Sequence, residues 1–527
     1  MNVVLLTHEW LILALALGLL LADLWLPISA RAKLGYVAAV ALAAILLYSL
    51  LAIHVPNMAA KAGDAASKSV HLQCTKCQTE SFVNKGEQIS NCTQCGNTEF
   101  KESIYAFRKM YVLDQLALFF KRFFILAALI VLLLSVEFSN RIQAGITEYY
   151  SLILFALAGM LFASSANDFS LLFVSLELIT LSFYVLTSFQ RSHLKSLEAG
   201  VKYLIIGALS TGFTVFGVAL VYGISHKLNF GELAAVAGQF SSNKIFLFGL
   251  LLVLVGLGFK IAAFPFQIWA PDVYQGAPAP TAAFLAIGSK AAGFVLLLRV
   301  LFSAVPIISQ QWSNLLMIVS AVTILYGNLC AIPQRNIKRL LGYSSIAHAG
   351  YLLLGIAALS QAGQSAVLYY LSGYLFTVLA AFTVICLVMR QIDAEDISGL
   401  AGLNQRSPLL AATMTMAMVS LAGIPPLAGF FGKFLLFKSI LSQAPAHPGY
   451  YCLAFTAIAG IIISLYYYFG VIRAIYWSQE SSDMSIIPIS RPIRLVIYGC
   501  IAGMLFLGIF PAWLVNLTTR AVSTLAG

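Results

Sequence analysis

Six ionisable side chains stand inside otherwise apolar stretches: Glu177 in LLFVSLELITLSFYVL, Lys202 in SLEAGVKYLIIGAL, Lys260 in LLVLVGLGFKIAAFPF, Lys290 in FLAIGSKAAGFVLLL, His348 in GYSSIAHAGYLLLG and Lys433 in LAGFFGKFLLF. Carboxylates, lysines and histidines take up and release protons. Each costs at least about 2.5 to 3.5 kcal/mol at the centre of a membrane helix on insertion scales. Six of them amount to a large penalty unless they pair or line a wet cavity, as in a proton or ion pathway. Blander readings compete at some positions. Snorkelling from a helix end suits Lys202, with Glu198 one turn back, and also Lys121 and Arg122, which would then face the insert or a neighbour. A hydrogen-bonded core histidine is the alternative for His348, beside Ser344, Ser345 and Tyr351. Glu177, Lys260, Lys290 and Lys433 lie nearer mid-span, where neither reading suffices.

A second constellation has different chemistry. In CTKCQTESFVNKGEQISNCTQCGN, Cys74 and Cys77 form one CxxC and Cys92 and Cys95 another, with fourteen residues between them. Two such knuckles let backbone amides turn around a tetrahedral ion, and the spacing matches a zinc ribbon, with a rubredoxin-type iron site as the minor reading. Two disulfides are the alternative. Four thiolates would close the coordination sphere and leave no position for substrate, so the metal would be structural, stapling a segment too small to bury much core. Cys330, Cys386, Cys452 and Cys500 are scattered singly through apolar spans and read as small buried hydrophobes.

The elements that carry these residues follow from composition. Of 527 residues 60% are hydrophobic and 10% charged, where soluble domains carry roughly a quarter charged residues. About fourteen apolar runs are long enough to cross a hydrocarbon core of roughly 30 Å, which predicts an all-α polytopic membrane protein. The first run carries Glu9 and Asp23 and lacks a basic n-region, so a removed signal peptide is not expected. The net charge of +11 follows topology rather than nucleic-acid binding. Arg31, Lys33, Arg191, Lys195, Arg335, Lys338, Arg339, Arg390, Arg406, Arg473, Arg491 and Arg494 fall on one side, which the positive-inside rule makes cytoplasmic. Both termini and the cysteine insert are then expected on the outer face of a cell inner (plasma) membrane.

Proline and glycine punctuate two spans. Lys260 stands near Gly256, Gly258 and Pro265, and Lys433 near Gly423, Pro425, Pro426, Gly429 and Gly432. Breaks of this kind free backbone polar groups, tolerated at membrane depth only beside protein or a water-filled cavity. Two broken spans at corresponding places suggest an inverted repeat of transporter type with ion sites at mid-membrane. The expected organisation is two spans in 1–55, an extramembrane zinc-ribbon-like insert in 56–110, a third span and loop in 111–147, two five-helix repeats in 148–310 and 311–478, and a last span in 479–527.

VGLGFKIAAFPFQIWAPDVYQGAPAP at 255–280, the following SKAAG, NIKRLLGYSSIAHAGYLLLG at 336–355 and SLAGIPPLAGFFGKF at 420–434 carry a resemblance. From about residue 111 to 515 the chain resembles the antiporter-like membrane subunits of respiratory complex I, NADH:quinone oxidoreductase, and among them chain N. The resemblance implies fourteen spans and a role in proton translocation. It places the chain in a membrane arm beside a small subunit of K type and an antiporter-like subunit of M type, with a hydrophilic redox arm. By position it makes Glu177 and Lys202 the paired residues of the fifth and sixth spans, Lys260 the lysine of the broken seventh, Lys290 the relay lysine of the eighth, His348 the connecting histidine and Lys433 the terminal lysine of the broken twelfth. The cysteine insert departs from the pattern, as do Lys121 and Arg122 in a third span that is otherwise apolar. The absence of a long lateral helix after the last span favours chain N over chain L.

No GxGxxG follows a strand and no CxxCH occurs, so NADH, FMN, iron–sulfur clusters and quinone are expected only in partner subunits. The reading is a proton-translocating subunit that shifts protons through a Glu/Lys/His relay coupled to quinone reduction elsewhere. The alternative is a subunit of a multisubunit cation/proton antiporter, which shares the fold. A scaffold without transport would gain nothing from six residues so costly to bury.

Overall fold

The computed structural model describes residues 3–53, 70–74, 80–83, 100–102, 104–142, 145–391, 395–445, 447–478 and 485–525. Helices α1 (Val4–Asp23), α2 (Leu34–Leu51) and α3 (Gln115–Glu137) come first, followed by α4 (Ile146–Ser164), α5 (Phe169–Thr187), α6 (Leu194–Ser225) and α7 (Lys244–Ile261). The short α8 (Trp269–Gly276) leads into α9 (Ala279–Ala304), α10 (Pro306–Ala331), α11 (Ile337–Ala357) and α12 (Gln361–Gln391). After α13 (Pro408–Ala422) and α14 (Ala428–Leu441) come α15 (Gly449–Trp477), α16 (Arg491–Ile509) and α17 (Pro511–Val522).

Among the described residues thirteen helices are long and apolar enough to cross a membrane. The fourteenth span comes in two pieces, α13 of 15 residues and α14 of 14, each about 21 to 23 Å long and too short alone. α17 follows the last span, α16; with 12 residues it is too short to cross by itself, and its Thr518 bonds Ser365 of α12 at 2.8 Å.

Short polar side chains set several helix starts. Asp114 accepts from the Ala117 amide at 2.7 Å, Asp168 from Ser170 at 2.7 Å and Asn336 from Arg339 at 3.0 Å, satisfying donors that a first turn leaves unpaired. Helices apolar on all faces belong in the middle of a bundle, and every residue of α9 from Ala279 to Arg299 is buried. On the perimeter, α6 exposes Val201, Leu204, Ile205 and Leu209, and α15 exposes Phe455, Ile462 and Tyr466.

Both expected breaks are present. α7 ends at Ala262 in the left-handed region, and the indole of Trp269 donates to the Phe259 carbonyl at 3.0 Å, tying the far side of the break to the near one. α13 ends at Gly423, with φ of +87°, before Pro425 and Pro426. Each break holds one cis peptide bond, Phe264–Pro265 and Pro425–Pro426.

The cysteine insert contributes a three-stranded antiparallel sheet of β1 (Val70–Cys74), β2 (Glu80–Val83) and β3 (Phe100–Glu102) in the order β2-β1-β3, with Cys74 opposite Phe100. Cys77, Cys92 and Cys95 lie outside the described residues. The insert returns through a hairpin of β4 (Tyr105–Ala106) and β5 (Tyr111–Val112), fastened to the bundle by bonds from Val112 N–H to the Ser165 carbonyl and from Asn167 N–H to the Met110 carbonyl, both 2.9 Å.

Next to this hairpin the two unusual charges of α3 find partners. Lys121 is fully buried and does not snorkel: its ammonium lies 2.6 Å from Glu9 of α1 and also donates to Tyr111, whose hydroxyl reaches Glu9 at 3.1 Å. Arg122 donates to the carbonyls of Ser49 at 2.6 Å and Ile53 at 2.9 Å, satisfying acceptors at the end of α2. Arg299 near the end of α9 forms a bidentate pair with Asp114 at 2.9 and 3.1 Å and also takes the Ser164 carbonyl.

Candidate functional site

Lys260 occupies the last turn of α7, where the chain leaves helical geometry, and is buried. Its ammonium donates to Thr180 of α5 and lies 5.5 Å from the Phe259 ring centre. α9 approaches this point because it presents Gly293: a Cβ there would come within 3.2 Å of the Lys260 Cβ and 2.8 Å of Ile261. Inside the break, the buried Gln267 side-chain oxygen has no partner among the described residues, and neither has the hydroxyl of Tyr184 on α5, which packs against Gly207 of α6. Such orphaned polar atoms are what ordered water satisfies.

Lys290 follows a π-helical turn, Leu285–Ser289, that interrupts α9. Turns of this kind concentrate at functional sites. Its buried ammonium donates to both the carbonyl and the hydroxyl of Ser345 on α11, and that hydroxyl meets Tyr274 of α8 at 3.0 Å. One turn further along α11, His348 lies between two tyrosines, with Nδ1 on Tyr370 of α12 and Nε2 at 3.1 Å from Tyr468 of α15. Tyr468 also meets Ser344 at 2.5 Å. Hydroxyls both donate and accept, so this cradle suits neutral or protonated imidazole.

Lys433 on α14 turns back across the second break. Its ammonium lies 2.8 Å from the Leu421 carbonyl and 2.9 Å from the Ala422 carbonyl, the last of α13, and 5.0 Å from the Tyr351 ring centre. Free carbonyls at a helix end carry its negative pole, so both break lysines stand at the C-terminal end of a half-helix. Lys260 gets there as part of that half-helix, Lys433 by reaching back to it.

The partners of Lys260, Lys290 and Lys433 are hydroxyls and carbonyls. A lysine so partnered can give up its proton without stranding a buried carboxylate, whereas Lys121 cannot leave Glu9 so cheaply. The cluster suits proton carriage, and Glu9 and Lys121 suit fastening.

Glu177 and Lys202 are not brought together. The Glu177 carboxylate accepts from Thr211 of α6 at 2.7 Å. Lys202 lies nine residues earlier on that helix, about 13 Å along its axis. Its half-exposed ammonium pairs with Glu198 at 2.6 Å and with Asp272 of α8 at 2.7 Å. Asp272 also holds Arg339 of α11, and Lys338 beside it pairs with Glu395 at 2.8 Å. The sequence pointed to the six charged positions and to Ser345 as a neighbour of His348, but not to Thr180, Tyr370, Tyr468 or Asp272. Of these only Asp272 carried a signal, as a lone carboxylate just beyond the first break.

Two discontinuous helices with buried lysines at their breaks, joined by a histidine in a tyrosine cradle, define a polytopic protein of the antiporter-like kind. Residues 166–460 match the family described as NADH:quinone oxidoreductase/Mrp antiporter, TM, and the chain belongs to that family. It is 41% identical over 428 residues to the NADH-quinone oxidoreductase subunit N of Trichlorobacter lovleyi, covering 81% of this chain and 87% of that protein. Its structure resembles a chain of respiratory complex I from Thermus thermophilus with bound aureothin, at 30% identity and a TM-score of 0.73, covering 97% of this chain and 99% of that one. A chain of the Mrp complex from Dietzia sp. DQ12-45-1b shares the fold at 19% identity, with a TM-score of 0.74 and coverage of 100% of this chain and 98% of that one.

Proposed function

We propose that this chain is a proton-translocating membrane-arm subunit of a complex I type NADH:quinone oxidoreductase. Its subunit N relatives support the assignment, and the observation that carries the mechanism is the set of buried lysines with neutral partners. Removing a charge from water favours whichever form is neutral, so a lysine among hydroxyls and carbonyls is poised to exchange its proton when a nearby charge changes. In the proposed relay, Glu177 and Lys202 respond to a neighbouring subunit, Lys260 takes up or releases the proton, and Lys290 and His348 pass it to Lys433. Partner subunits of K and M type flank the chain in the membrane. NADH, FMN, iron–sulfur clusters and quinone stay in partner subunits, so this chain moves protons and no electrons.

In the same reading Cys74, Cys77, Cys92 and Cys95 hold one zinc ion, the doubled CxxC spacing being its support. The end of the bundle that carries Arg191, Lys195, Arg335, Lys338 and Arg339 faces the cytoplasm, and the insert faces outward, a reading that rests on the clustering of basic residues.

Purification of the intact assembly tests the function. Recovery of a hydrophilic arm with iron–sulfur clusters, and donor-driven acidification of the outer compartment in proteoliposomes, is the expected result. Recovery of the chain with other membrane subunits alone, together with donor-independent sodium/proton exchange, would favour the multisubunit antiporter suggested by the shared fold.

A further inference from the structure

The Asp272 carboxylate is divided between two cations from opposite halves of the chain. One oxygen lies 2.7 Å from the Lys202 ammonium on α6, and the other is paired with the Arg339 guanidinium on α11. Arg339 is fixed in turn by Gln275 at 3.1 Å, and its plane lies 5.7 Å from the Tyr343 ring centre. The helix that carries Asp272 is itself held in place. Gly276 at its end packs on the backbone of α6, where a Cβ would come within 3.0 Å of the Lys195 carbonyl carbon, and Lys338 of α11 donates to the Ala277 carbonyl at 3.1 Å. Tyr274, on the same short helix, reaches the Ser345 hydroxyl that accepts from Lys290.

α8 therefore touches the relay at two points, with Asp272 on Lys202 and Tyr274 on the Ser345 partner of Lys290. Glu177, the carboxylate expected to pair with Lys202, is engaged by Thr211 about 13 Å away along α6. We propose that Asp272 is a positioning residue of the relay: shared between Lys202 and Arg339, its carboxylate ties the place of the Lys202 ammonium to the helix that carries Ser345 and His348. A displacement of Lys202 toward Glu177 leaves Asp272 to Arg339 alone and so pulls on α11. A shift of α11 in turn loosens Lys202. The charged groups facing Asp272 are Lys202 and Glu198 with the nearby Lys195 on α6, and Arg339 on α11.

The inference rests on the proposed relay, and its test keeps the two apart. Intact complexes carrying Asp272→Asn, Asp272→Glu or Lys260→Ala are reconstituted in proteoliposomes, and proton translocation per quinone reduced is measured beside assembly. Asparagine keeps the size of the residue and one acceptor oxygen, but loses the charge and turns an amide donor toward the second cation. A residue that only filled space would tolerate asparagine, of the same size, better than the longer glutamate. Positioning by charge predicts the reverse: Asp272→Asn lowers translocation about tenfold, a typical size for coupling between sites, while Asp272→Glu restores most of it. Wild-type translocation by Asp272→Asn, or a greater loss with glutamate than with asparagine, overturns the inference. If Lys260→Ala pumps normally the relay itself fails, whereas its loss beside a normal Asp272→Asn sinks the positioning role alone. Should Asp272→Asn not assemble, Arg339→Gln gives the same reading, since it leaves both Asp272 oxygens to Lys202. A severalfold loss of translocation in the assembled complex is expected, and a wild-type rate overturns the proposal.

Discussion

Gly423 and Lys433 approach so closely across the second break that a Cβ on the glycine would lie 2.8 Å from the lysine Cδ. Gly423 also has a φ of +87°, in a region that costs an L-residue roughly 1 to 2 kcal/mol. Gly423→Ala is therefore expected to push Lys433 off the Leu421 and Ala422 carbonyls. The expected result is an assembled complex whose proton translocation falls severalfold, read as acidification per quinone reduced in proteoliposomes. Undiminished translocation would show that the lysine needs neither that space nor those carbonyls.

Lys260 offers a sharper separation of charge from proton release. Lys260→Ala is expected to leave the complex assembled while translocation, and the electron transfer coupled to it, drop sharply. Lys260→Arg should fail as well, because guanidinium holds its proton at any working pH. A purely structural lysine would tolerate arginine and lose assembly with alanine. Pumping at the wild-type rate by the arginine variant would remove Lys260 from the relay.

The Glu9 and Lys121 pair is expected to behave oppositely. With both side chains almost fully buried and 2.6 Å apart, removing one partner strands the other at a cost of about 3 to 5 kcal/mol. Glu9→Gln and Lys121→Met should each lower the melting temperature of the purified complex. The double variant Glu9→Leu with Lys121→Met should recover much of that loss, since apolar replacement of a buried pair is often close to neutral. Translocation per quinone reduced should stay unchanged in every variant that assembles. A selective loss of translocation in either single variant would assign this pair to the proton path instead.

Two measurements address the insert. Metal analysis of the purified chain, freed of its partner subunits, should find one zinc, and Cys74→Ser with Cys77→Ser should abolish it, because structural zinc sites of this kind fold with their metal. Two disulfides in the peptide map with no zinc or iron would refute the metal site. Membrane-impermeant amine labelling of intact cells should mark the insert and spare Lys195, which is exposed at the start of α6 on the same basic end as the loop at 332–339. The opposite pattern would invert the topology.

The sequence by itself determined which residues must matter and where the helices fail. A charge in an apolar span is costly whatever surrounds it, so Glu177, Lys260, Lys290 and Lys433 were legible one span at a time. Glycine and proline act on their own backbone, so the breaks after Ile261 and Ala422 could be read locally too. Thirteen spans stand as single helices among the described residues, whereas α13 and α14 had to be seen together before they made one more. What only the tertiary structure decided is which group each charge meets. Thr180 lies 80 residues from Lys260, Tyr468 lies 120 from His348, and Asp272 lies 70 from Lys202. Such meetings depend on the rotation and register of packed helices, which no single span encodes. For the same reason Lys121, read as a snorkelling residue, turned out to be buried against Glu9, 112 positions away. A helix reveals its own burial cost, and only its neighbours reveal how that cost is met.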